Sequence, residues 1–447
     1  MKLSKSNREV LLCGIIVLLS VYRFSYFGFK YIPYLDDYVQ YSFYPSLPDV
    51  WENVYAGGAG VLFSRPLAGI LDLFLWSKMY SVAGLAVAIL SLMHGFSAIF
   101  FYKGIRLCGI EVGLLFLAFY TFMPINCEGT YWLSAASRIV PSMLLVSLTL
   151  FFGAKRRTLP FAICTFLSMW FYEQTAVLSF AVATVVCIIK REYLKIGIPL
   201  ISFAALVAFY LSVGELGDNA HRMGISNMGE ILKNLKNTIL GSGESFTTVQ
   251  TKIMLRGFVR GFRLVAKDFS ILWIGVLCVL IMCACVASEE DRARLTRNRW
   301  ILGAAFLMLP LLPFLVSNGS FFNLRNAVPC ALGAALLFEG AVSFLLGRFS
   351  RLVAGVLIFV FIVSNVSEVA DYTFVAKRDY ETAVKISEQV TASTNIISVK
   401  LSSPVYYPQN APYGDHIMSM TGSDWGVTGI VRTLSKNPKL EVIQRQK

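Results

Sequence analysis

The sequence predicts an all-α polytopic membrane protein of about eleven transmembrane helices, with outer juxtamembrane helices and a small C-terminal α/β appendage. Hydrophobic residues make up 56% of the 447 residues and charged residues only 15%, a balance that soluble domains do not show. Apolar runs recur along the chain at roughly the 20-residue length that crosses the hydrocarbon of a bilayer. Basic residues collect in alternate connecting segments, as they do in the cytoplasmic loops of membrane proteins.

The first apolar run follows a basic amino terminus, and an aromatic stretch follows it instead of a small-residue cleavage site. We therefore predict an uncleaved first span with a cytoplasmic amino terminus. The predicted spans are 9–28, 81–102, 107–125, 138–154, 158–172, 174–189, 196–213, 269–287, 301–317, 329–346 and 352–370.

Every inside loop of this layout is basic, provided that the segment 61–80 does not cross the membrane. That segment contains Arg65, Pro66, Asp72 and Lys78, and charges deep in a lipid-facing helix are costly. We predict that it forms a helix lying along the outer surface or dipping partway into the membrane. The alternative, a full crossing, would move most of the later basic loops to the outside.

This layout divides the chain into a transmembrane domain, 1–370, and a small outer C-terminal domain, 371–447. The C-terminal part contains a helical stretch, the β-branched "NIISVKL" and a turn-rich end, which predict the α/β appendage. The transmembrane domain exposes four outer segments, which are 29–80, 125–138, 214–268 and 317–329.

Several classes of chemistry are excluded by the motifs that the sequence lacks. It has no P-loop, no GxGxxG after a strand, no HExxH and no GxSxG. Its three histidines are scattered, so neither a nucleophilic triad nor a three-histidine metal site is expected. The nine cysteines lie mostly in apolar runs and form neither a disulfide framework nor a metal-spaced quartet. The net charge of +13 accompanies no nucleic-acid motif.

The remaining reactive side chains are carboxylates, arginines and aromatics near the outer face, and this inventory suits sugar transfer from a lipid phosphate. A carboxylate can take the proton of an attacking hydroxyl, arginine can bind the departing phosphate, and aromatic rings can stack on a sugar. The candidates are Asp36, Asp37, Arg65, Glu128, Tyr131, Trp132, Arg138, Glu173, His221, Arg222 and Arg325.

The order of these features resembles the GT-C glycosyltransferases, which use polyprenyl-phosphate sugars. "LDDYVQYSFYP" matches the position of that family's early acidic motif, and "SRPLAGILDLFLWSKMYS" is similar to its juxtamembrane helix. Within that group, "EGTYWLSAASR", "FYEQ" and "NLRNAVP" look most like the serotype-converting O-antigen glucosyltransferases (Gtr family). The resemblance covers the layout of the whole chain and implies a bacterial inner-membrane enzyme with a periplasmic carboxyl terminus.

The family's catalytic aspartate carries over to Asp36 or Asp37. Adjacent side chains diverge by about 100° on a helix and about 180° on a strand, so one of the pair should face the substrate. We predict Asp36 as the base, with Asp37 orienting a basic partner or helping to hold a divalent ion. The alternative is that the pair caps a surface helix. Metal dependence stays open, because the pair fits both a metal-free site and one that holds Mg²⁺ or Mn²⁺.

Arg325, Arg65 and Arg222 are the predicted ligands of the donor phosphate, and the other candidates would contact the donor sugar or the acceptor. These contacts are assigned to Glu128, Tyr131, Trp132, Arg138, Glu173 and His221. Simpler alternatives exist: Arg65 could anchor the surface helix to headgroups, Glu128 and Arg138 could form a structural pair, and Glu173 could pair with Arg138 or Arg325. The basic face of "KIMLRGFVRGFRLVAKDF" predicts either an interfacial helix or a cationic wall for an anionic ligand.

The expected partners are the lipid bilayer, a polyprenyl-phosphate sugar donor and a glycan acceptor, with no nucleic acid. Two rival functions remain, a flippase or transporter for a lipid-linked oligosaccharide and an O-antigen polymerase or ligase. Transporters usually show internal repeats and polar sites at mid-membrane, whereas the charges of this chain gather on one side. Polymerases and ligases use residues of a large outer loop, and residues 214–268 could form such a loop.

Overall fold

The computed structural model describes most of the chain. The described residues are 5–43, 65–213, 228–268, 271–287, 297–316, 322–391, 394–400, 417, 419–437 and 439–445.

The described residues are mostly helical. The α-helices are α1 Lys5–Tyr22, α2 Pro66–Leu71, α3 Ala83–Leu107, α4 Leu114–Phe122, α5 Cys127–Tyr131, α6 Leu133–Ala154, α7 Thr158–Met169, α8 Glu173–Ile189, α9 Gly197–Val213, α10 Met228–Glu244, α11 Gln250–Lys267, α12 Ile271–Ala287, α13 Arg297–Met308, α14 Leu312–Val316, α15 Ala327–Leu346, α16 Ser350–Ser387 and α17 Asp424–Ser435. Short π-helices cover Tyr38–Phe43, Asp72–Trp76 and Ser245–Val249. Short 3₁₀ turns cover Ser77–Val82, Pro124–Asn126, Tyr193–Ile196, Leu309–Leu311, Leu324–Asn326, Gly347–Phe349 and Met420–Gly422.

The helices support the prediction of a membrane protein. Within the described residues, six helical segments are long and apolar enough to cross a membrane. They are Pro66–Leu107, Leu133–Ala154, Tyr193–Ser212, Asn298–Leu315, Leu324–Leu346 and Ser350–Ser387.

By this criterion the described chain does not reach the predicted number of about eleven crossings, and the reasons are physical. At 1.5 Å per residue, α7 and α8 are about 18 and 25 Å long, against about 30 Å of hydrocarbon. The predicted span 107–125 is formed around α4, whose nine residues cover about 14 Å and are all buried. A helix enclosed by protein does not have to match the thickness of the lipid.

The predicted juxtamembrane helix at 61–80 is described from Arg65 onward and is irregular. It runs through α2, a π-helix and a 3₁₀ turn before α3 begins, and Val82, with φ −125° and ψ 39°, marks the break. Asp72 and Trp76 are buried, whereas Ile70, Phe74 and Leu75 are exposed, so one face of this segment packs against protein.

The predicted outer loops contain regular structure. The segment 125–138 becomes α5 and the first turns of α6, and the described part of 317–329 becomes a 3₁₀ turn and the start of α15. The described part of 214–268 forms α10 and α11. Gln250, Ile253, Gly257, Gly261 and Val265 form the buried face of α11, whose predicted helical stretch is confirmed.

Helix α16 continues without interruption across the predicted domain boundary at 370. Its 38 residues span about 57 Å, so the helix is much longer than a crossing of the hydrocarbon requires. Strand β1, Ile396–Val399, lies within the predicted "NIISVKL" strand and pairs in parallel with β2, Glu441–Gln444, in the register Ile396↔Glu441. Helix α17 lies between them in the chain, and the Thr428 hydroxyl bonds to the main chain of Val442. The predicted small α/β unit is therefore present.

Candidate functional site

The paired acids begin a short helical turn that follows a tight bend. Leu35 has a φ of 43°, which is rare for a bulky residue and persists where surrounding contacts hold the backbone. The bend separates the two carboxylates: Asp37 is fully buried, whereas Asp36 is half-buried. The predicted divergence of the pair is therefore present, with Asp36 as the more accessible acid.

Asp37 caps helix α6 from a distant part of the chain. Its Oδ1 accepts the Ser134 N–H at 2.9 Å, and its Oδ2 accepts the Tyr34 N–H at 2.9 Å and the Tyr31 hydroxyl. The Tyr31 hydroxyl also accepts the Leu133 N–H at 2.9 Å. Together, Tyr31 and Asp37 bind two of the first-turn N–H groups that lack partners inside α6. These partners replace the basic side chain that we predicted for Asp37.

The environment of Asp37 changes its acidity. Burial raises the pKa of Asp37 to about 7, against the opposing effect of the hydrogen bonds from Tyr31 and Tyr34. The neighbouring Asp36 carboxylate adds a smaller increase. A carboxyl group held this way exists in both protonation states near neutral pH.

Trp132 connects residues 29–37, which we call the acid loop, to Arg325. Its indole N–H donates to the Tyr34 carbonyl oxygen at 3.3 Å, and the two rings meet edge to face at 5.5 Å. On another side, the Arg325 guanidinium lies 5.3 Å from the centre of the Trp132 ring, within cation–π range. We call Tyr34, Trp132 and Arg325, together with Asp36 two residues beyond Tyr34 in the chain, the tryptophan edge.

Arg325 is held by neutral groups. When the Asn323 amide is oriented with its oxygen toward Arg325, that oxygen accepts from Nε and Nη2, each at 3.1 Å. Arg325 is half-buried, and no carboxylate of the described chain lies within ion-pair distance of it. The guanidinium therefore retains its positive charge toward an incoming anion.

The other described arginines of the predicted site are neutralised. Arg65 donates from Nε to both carboxylate oxygens of Glu173 at 3.0 Å and stacks over Tyr172 at 4.4 Å. Arg138 forms an ion pair with the Asp72 carboxylate at 3.4 Å, and both side chains are 8% exposed. We call Arg65, Glu173, Arg138 and Asp72 the charged wall.

These pairings decide between the alternatives that the sequence left open. Glu173 pairs with Arg65, not with Arg138 or Arg325. Arg138 pairs with Asp72, not with Glu128. Asp72 also accepts a hydrogen bond from Ser137, so this wall joins the juxtamembrane segment to α6. Arg65, the first residue of the described juxtamembrane segment, is tied to the start of α8.

Glu128 and Tyr131 lie in α5, where they are enclosed by other side chains. Tyr131 packs against the rings of Tyr31 at 5.4 Å and Tyr372 at 5.7 Å. Tyr131 and Trp132 are 5% and 6% exposed, so a sugar could stack on either ring only after a neighbour had moved. Their packing favours a positioning role over the predicted direct contact.

His221 and Arg222 lie outside the described residues, so their predicted roles stay predictions. Among the residues that the structure describes, no three histidine, cysteine or acidic side chains form a group that could hold a metal ion. The predicted dependence on Mg²⁺ or Mn²⁺ therefore stays open.

Sequence reasoning missed Asp72 and the tyrosines that frame the acids. Asp72 was considered only as a charge unsuited to lipid, because its partner Arg138 lies 66 residues away in the sequence. The tyrosines did carry a signal: Tyr31, Tyr34, Tyr38 and Tyr41 recur at spacings of three and four residues, which places side chains on one face of a helical turn.

No protein-family model matches this chain, and the search of curated proteins found no significant match.

Proposed function

We propose that the protein is a membrane glycosyltransferase that moves a hexosyl group, glucosyl by the resemblance, from a polyprenyl phosphate to a glycan acceptor such as lipopolysaccharide O-antigen. The proposal includes a GT-C-type layout of about eleven crossings in a bacterial inner membrane. The site would face the periplasm, together with the carboxyl terminus. The six apolar helices of the described chain support the membrane location, and the basic alternate loops support the orientation.

The observation that carries the proposal is the tryptophan edge. It links an arginine without a carboxylate partner in the described chain, Arg325, through the Trp132 indole to Tyr34, two residues before the half-buried carboxylate Asp36. Transfer from a lipid phosphate needs one base and one cation that are available to substrates. The charged wall offers neither, because its acids and bases bind each other.

The reaction follows from these roles. Asp36 takes the proton of the acceptor hydroxyl while that oxygen forms a bond to the anomeric carbon of the donor sugar. The bond between the anomeric carbon and the phosphate oxygen breaks, and its electron pair stays on the phosphate. Arg325 offers two N–H groups to the departing phosphate and stabilises its growing negative charge.

The remaining candidates position this pair. Asp37 fixes the loop that carries Asp36 onto the start of α6, which also holds Trp132 at its amino-terminal boundary. Trp132 holds Arg325, and Tyr131 supports the acid loop through Tyr31. Glu173 and Arg138, which we predicted to contact sugar, support the site through the charged wall, and Glu128 is buried in α5.

Surface polysaccharide tests the proposal directly. Cells that carry the wild-type gene should attach one more hexose per repeat unit than cells without it, as measured by mass and linkage analysis. Asp36→Asn should abolish this addition at equal membrane abundance, and Glu388→Gln, which removes an exposed acid immediately after α16, should not. A flippase, polymerase or ligase would survive Asp36→Asn, so a retained polysaccharide change would contradict the proposal.

A further inference from the structure

An open cleft of about 740 Å³ lies between the acid loop, the start of α3 and the C-terminal unit. Residues 29–33 form one side, 80–85 form the second, and α16 and α17 close the third through Lys377, Tyr380, Thr433 and Leu434. Three separate parts of the chain thus build one concave surface, which is the usual form of a ligand site.

The charged side chains that line this cleft are both basic. Lys30 and Lys377 are both exposed, and no acidic side chain is among the described residues that line the cleft. Two acids next to the lining residues accept hydrogen bonds: Asp37 accepts the Tyr31 hydroxyl, and Asp379 accepts the Ser419 hydroxyl and the Met420 N–H. The two ammonium groups therefore place positive charge directly on the lining of the cleft.

Tyrosine rings provide most of the aromatic surface of the cleft. Rings of this kind stack on the apolar faces of sugars while their hydroxyls make hydrogen bonds, because one end is apolar and the other polar. The lining tyrosines are Tyr31, Tyr38, Tyr80 and Tyr380.

Tyr38 gives an independent indication of a ligand. Its side chain is 4% exposed, and its hydroxyl has no hydrogen-bond partner among the described residues. Buried polar groups are nearly always paired, and an exception calls for a missing partner. A hydroxyl of a bound sugar would provide that partner inside the cleft.

The cleft also adjoins the acid pair. Tyr31 lines the cleft with its ring while its hydroxyl donates to Asp37. On the far side, a Cβ at Gly84 would lie 1.8 Å from the Phe29 carbonyl oxygen, so the loop and α3 are in close contact here. A ligand in the cleft would thus contact Tyr31, whose hydroxyl binds Asp37, the neighbour of Asp36 in the chain.

We propose that this cleft binds the acceptor, and that the acceptor is a saccharide bearing an anionic substituent such as a phosphate or a carboxylate. This inference rests on the proposed function, because it assigns a binding site to the acceptor of that reaction and specifies that the acceptor is negatively charged. The donor phosphate would remain at Arg325, whose planar fork suits a phosphate better than two separate ammonium groups do. The C-terminal unit then contributes directly to substrate selection.

Calorimetric titration of the full chain in phosphatidylcholine nanodiscs tests the proposal. The probes are a panel of neutral hexose tetrasaccharides, their phosphorylated counterparts and inorganic phosphate. A phosphorylated tetrasaccharide should bind about tenfold more tightly than its neutral counterpart. The double variant Lys30→Gln/Lys377→Gln should remove this difference, whereas Lys385→Gln, an exposed lysine two turns further along α16, should keep it.

Tyr38→Phe separates binding from folding. Since its hydroxyl has no partner within the described chain, its loss should leave the thermal midpoint unchanged and weaken glycan binding by about 3- to 10-fold. A lowered midpoint with unchanged binding would show that Tyr38 serves the fold and would contradict the proposal.

Three results would overturn the proposal: no member of the panel binds, neutral and phosphorylated glycans bind equally, or inorganic phosphate alone competes fully. Complete competition by phosphatidylglycerol in the nanodisc would also overturn it, by identifying a lipid headgroup as the occupant. If the lysine variant loses binding but Asp36→Asn retains transfer, the cleft is a glycan site and the proposed enzymatic function is wrong. If the lysine variant keeps the binding difference but Asp36→Asn loses transfer, the enzymatic function holds and the proposed acceptor site is wrong.

Discussion

The charged wall and the tryptophan edge use the same kinds of side chain for different ends. In the wall, Arg138 and Asp72 lie 3.4 Å apart and are nearly buried, so each side chain neutralises the other. At the edge, Arg325 rests on an indole ring and an amide oxygen, and Asp36 is half-buried. Paired charges join segments of a protein, whereas charges left without a partner can act on a substrate. The following predictions test that distinction.

The largest effect on stability is expected in the wall. Arg138→Met would leave the buried Asp72 carboxylate without its cation, which should lower the free energy of unfolding by about 3–5 kcal/mol. Thermal unfolding in detergent would measure this loss. The double variant Arg138→Met/Asp72→Leu should recover most of it, and a double variant as unstable as the single one would contradict the pairing.

A large effect on activity without an effect on folding is expected at the edge. Arg325→Gln should lower hexose transfer by about 10²- to 10³-fold, because it removes the charge that stabilises the departing phosphate. The thermal midpoint should change little, since the side chain has no carboxylate partner in the described chain. Arg325→Lys should recover only part of the activity because lysine lacks the planar fork. Full activity in Arg325→Gln would exclude the proposed role.

Asp37 should contribute to stability, as the residues of the charged wall do, although it is adjacent to Asp36 in the sequence. In Asp37→Asn the new amide N–H₂ would face the Tyr34 N–H or another donor, which should lower the free energy of unfolding by about 1–3 kcal/mol. Asp36→Asn should not measurably lower it. Equal destabilisation by the two variants would contradict the division of roles that we assign to the pair.

The raised pKa of Asp37, about 7 in the folded protein against an ordinary 3.8, also predicts a dependence of stability on pH. Between these values the folded carboxyl holds a proton that the unfolded chain has released, so this group's contribution to stability falls as pH rises from about 4 to about 7. The difference between wild type and Asp37→Asn in thermal midpoint should therefore depend on pH over that window. A constant difference would show that Asp37 titrates normally.

The smallest effect is expected at the partly exposed pair of the wall. Arg65 and Glu173 are 21% and 32% exposed, and solvent screens such pairs, which typically contribute up to about 1 kcal/mol. Arg65→Gln should therefore lower the thermal midpoint slightly and reduce transfer far less than Arg325→Gln does. An equal loss of transfer in the two variants would extend the phosphate site to Arg65, as the sequence predicted.

Patterns that are local in sequence predicted several parts of the structure. The apolar runs predicted a helical membrane protein, and "NIISVKL" predicted β1 because β-branched residues favour strands. The different environments of Asp36 and Asp37 followed from the divergence of adjacent side chains. Each of these inferences needs only residues that are close together in the chain.

The pairings could not be predicted in the same way. The predicted outer segments contain eleven acids that could pair with Arg138. Its pairing with Asp72 depends on how the juxtamembrane segment packs against α6. The length of α16 could not be predicted either. Its apolar first half predicts a span that ends near residue 370, and nothing in the sequence shows that the polar helical stretch beyond it continues the same helix. The lysines of the cleft come together only when α16 and the acid loop are packed.

Transfer measured side by side in Asp36→Asn and Asp37→Asn cells, with membrane abundance matched, tests the central claim most directly. The account predicts that Asp36→Asn leaves a protein of unchanged thermal midpoint that adds no hexose to the surface polysaccharide, while Asp37→Asn loses stability but retains transfer per folded molecule. Normal hexose addition by Asp36→Asn would contradict it.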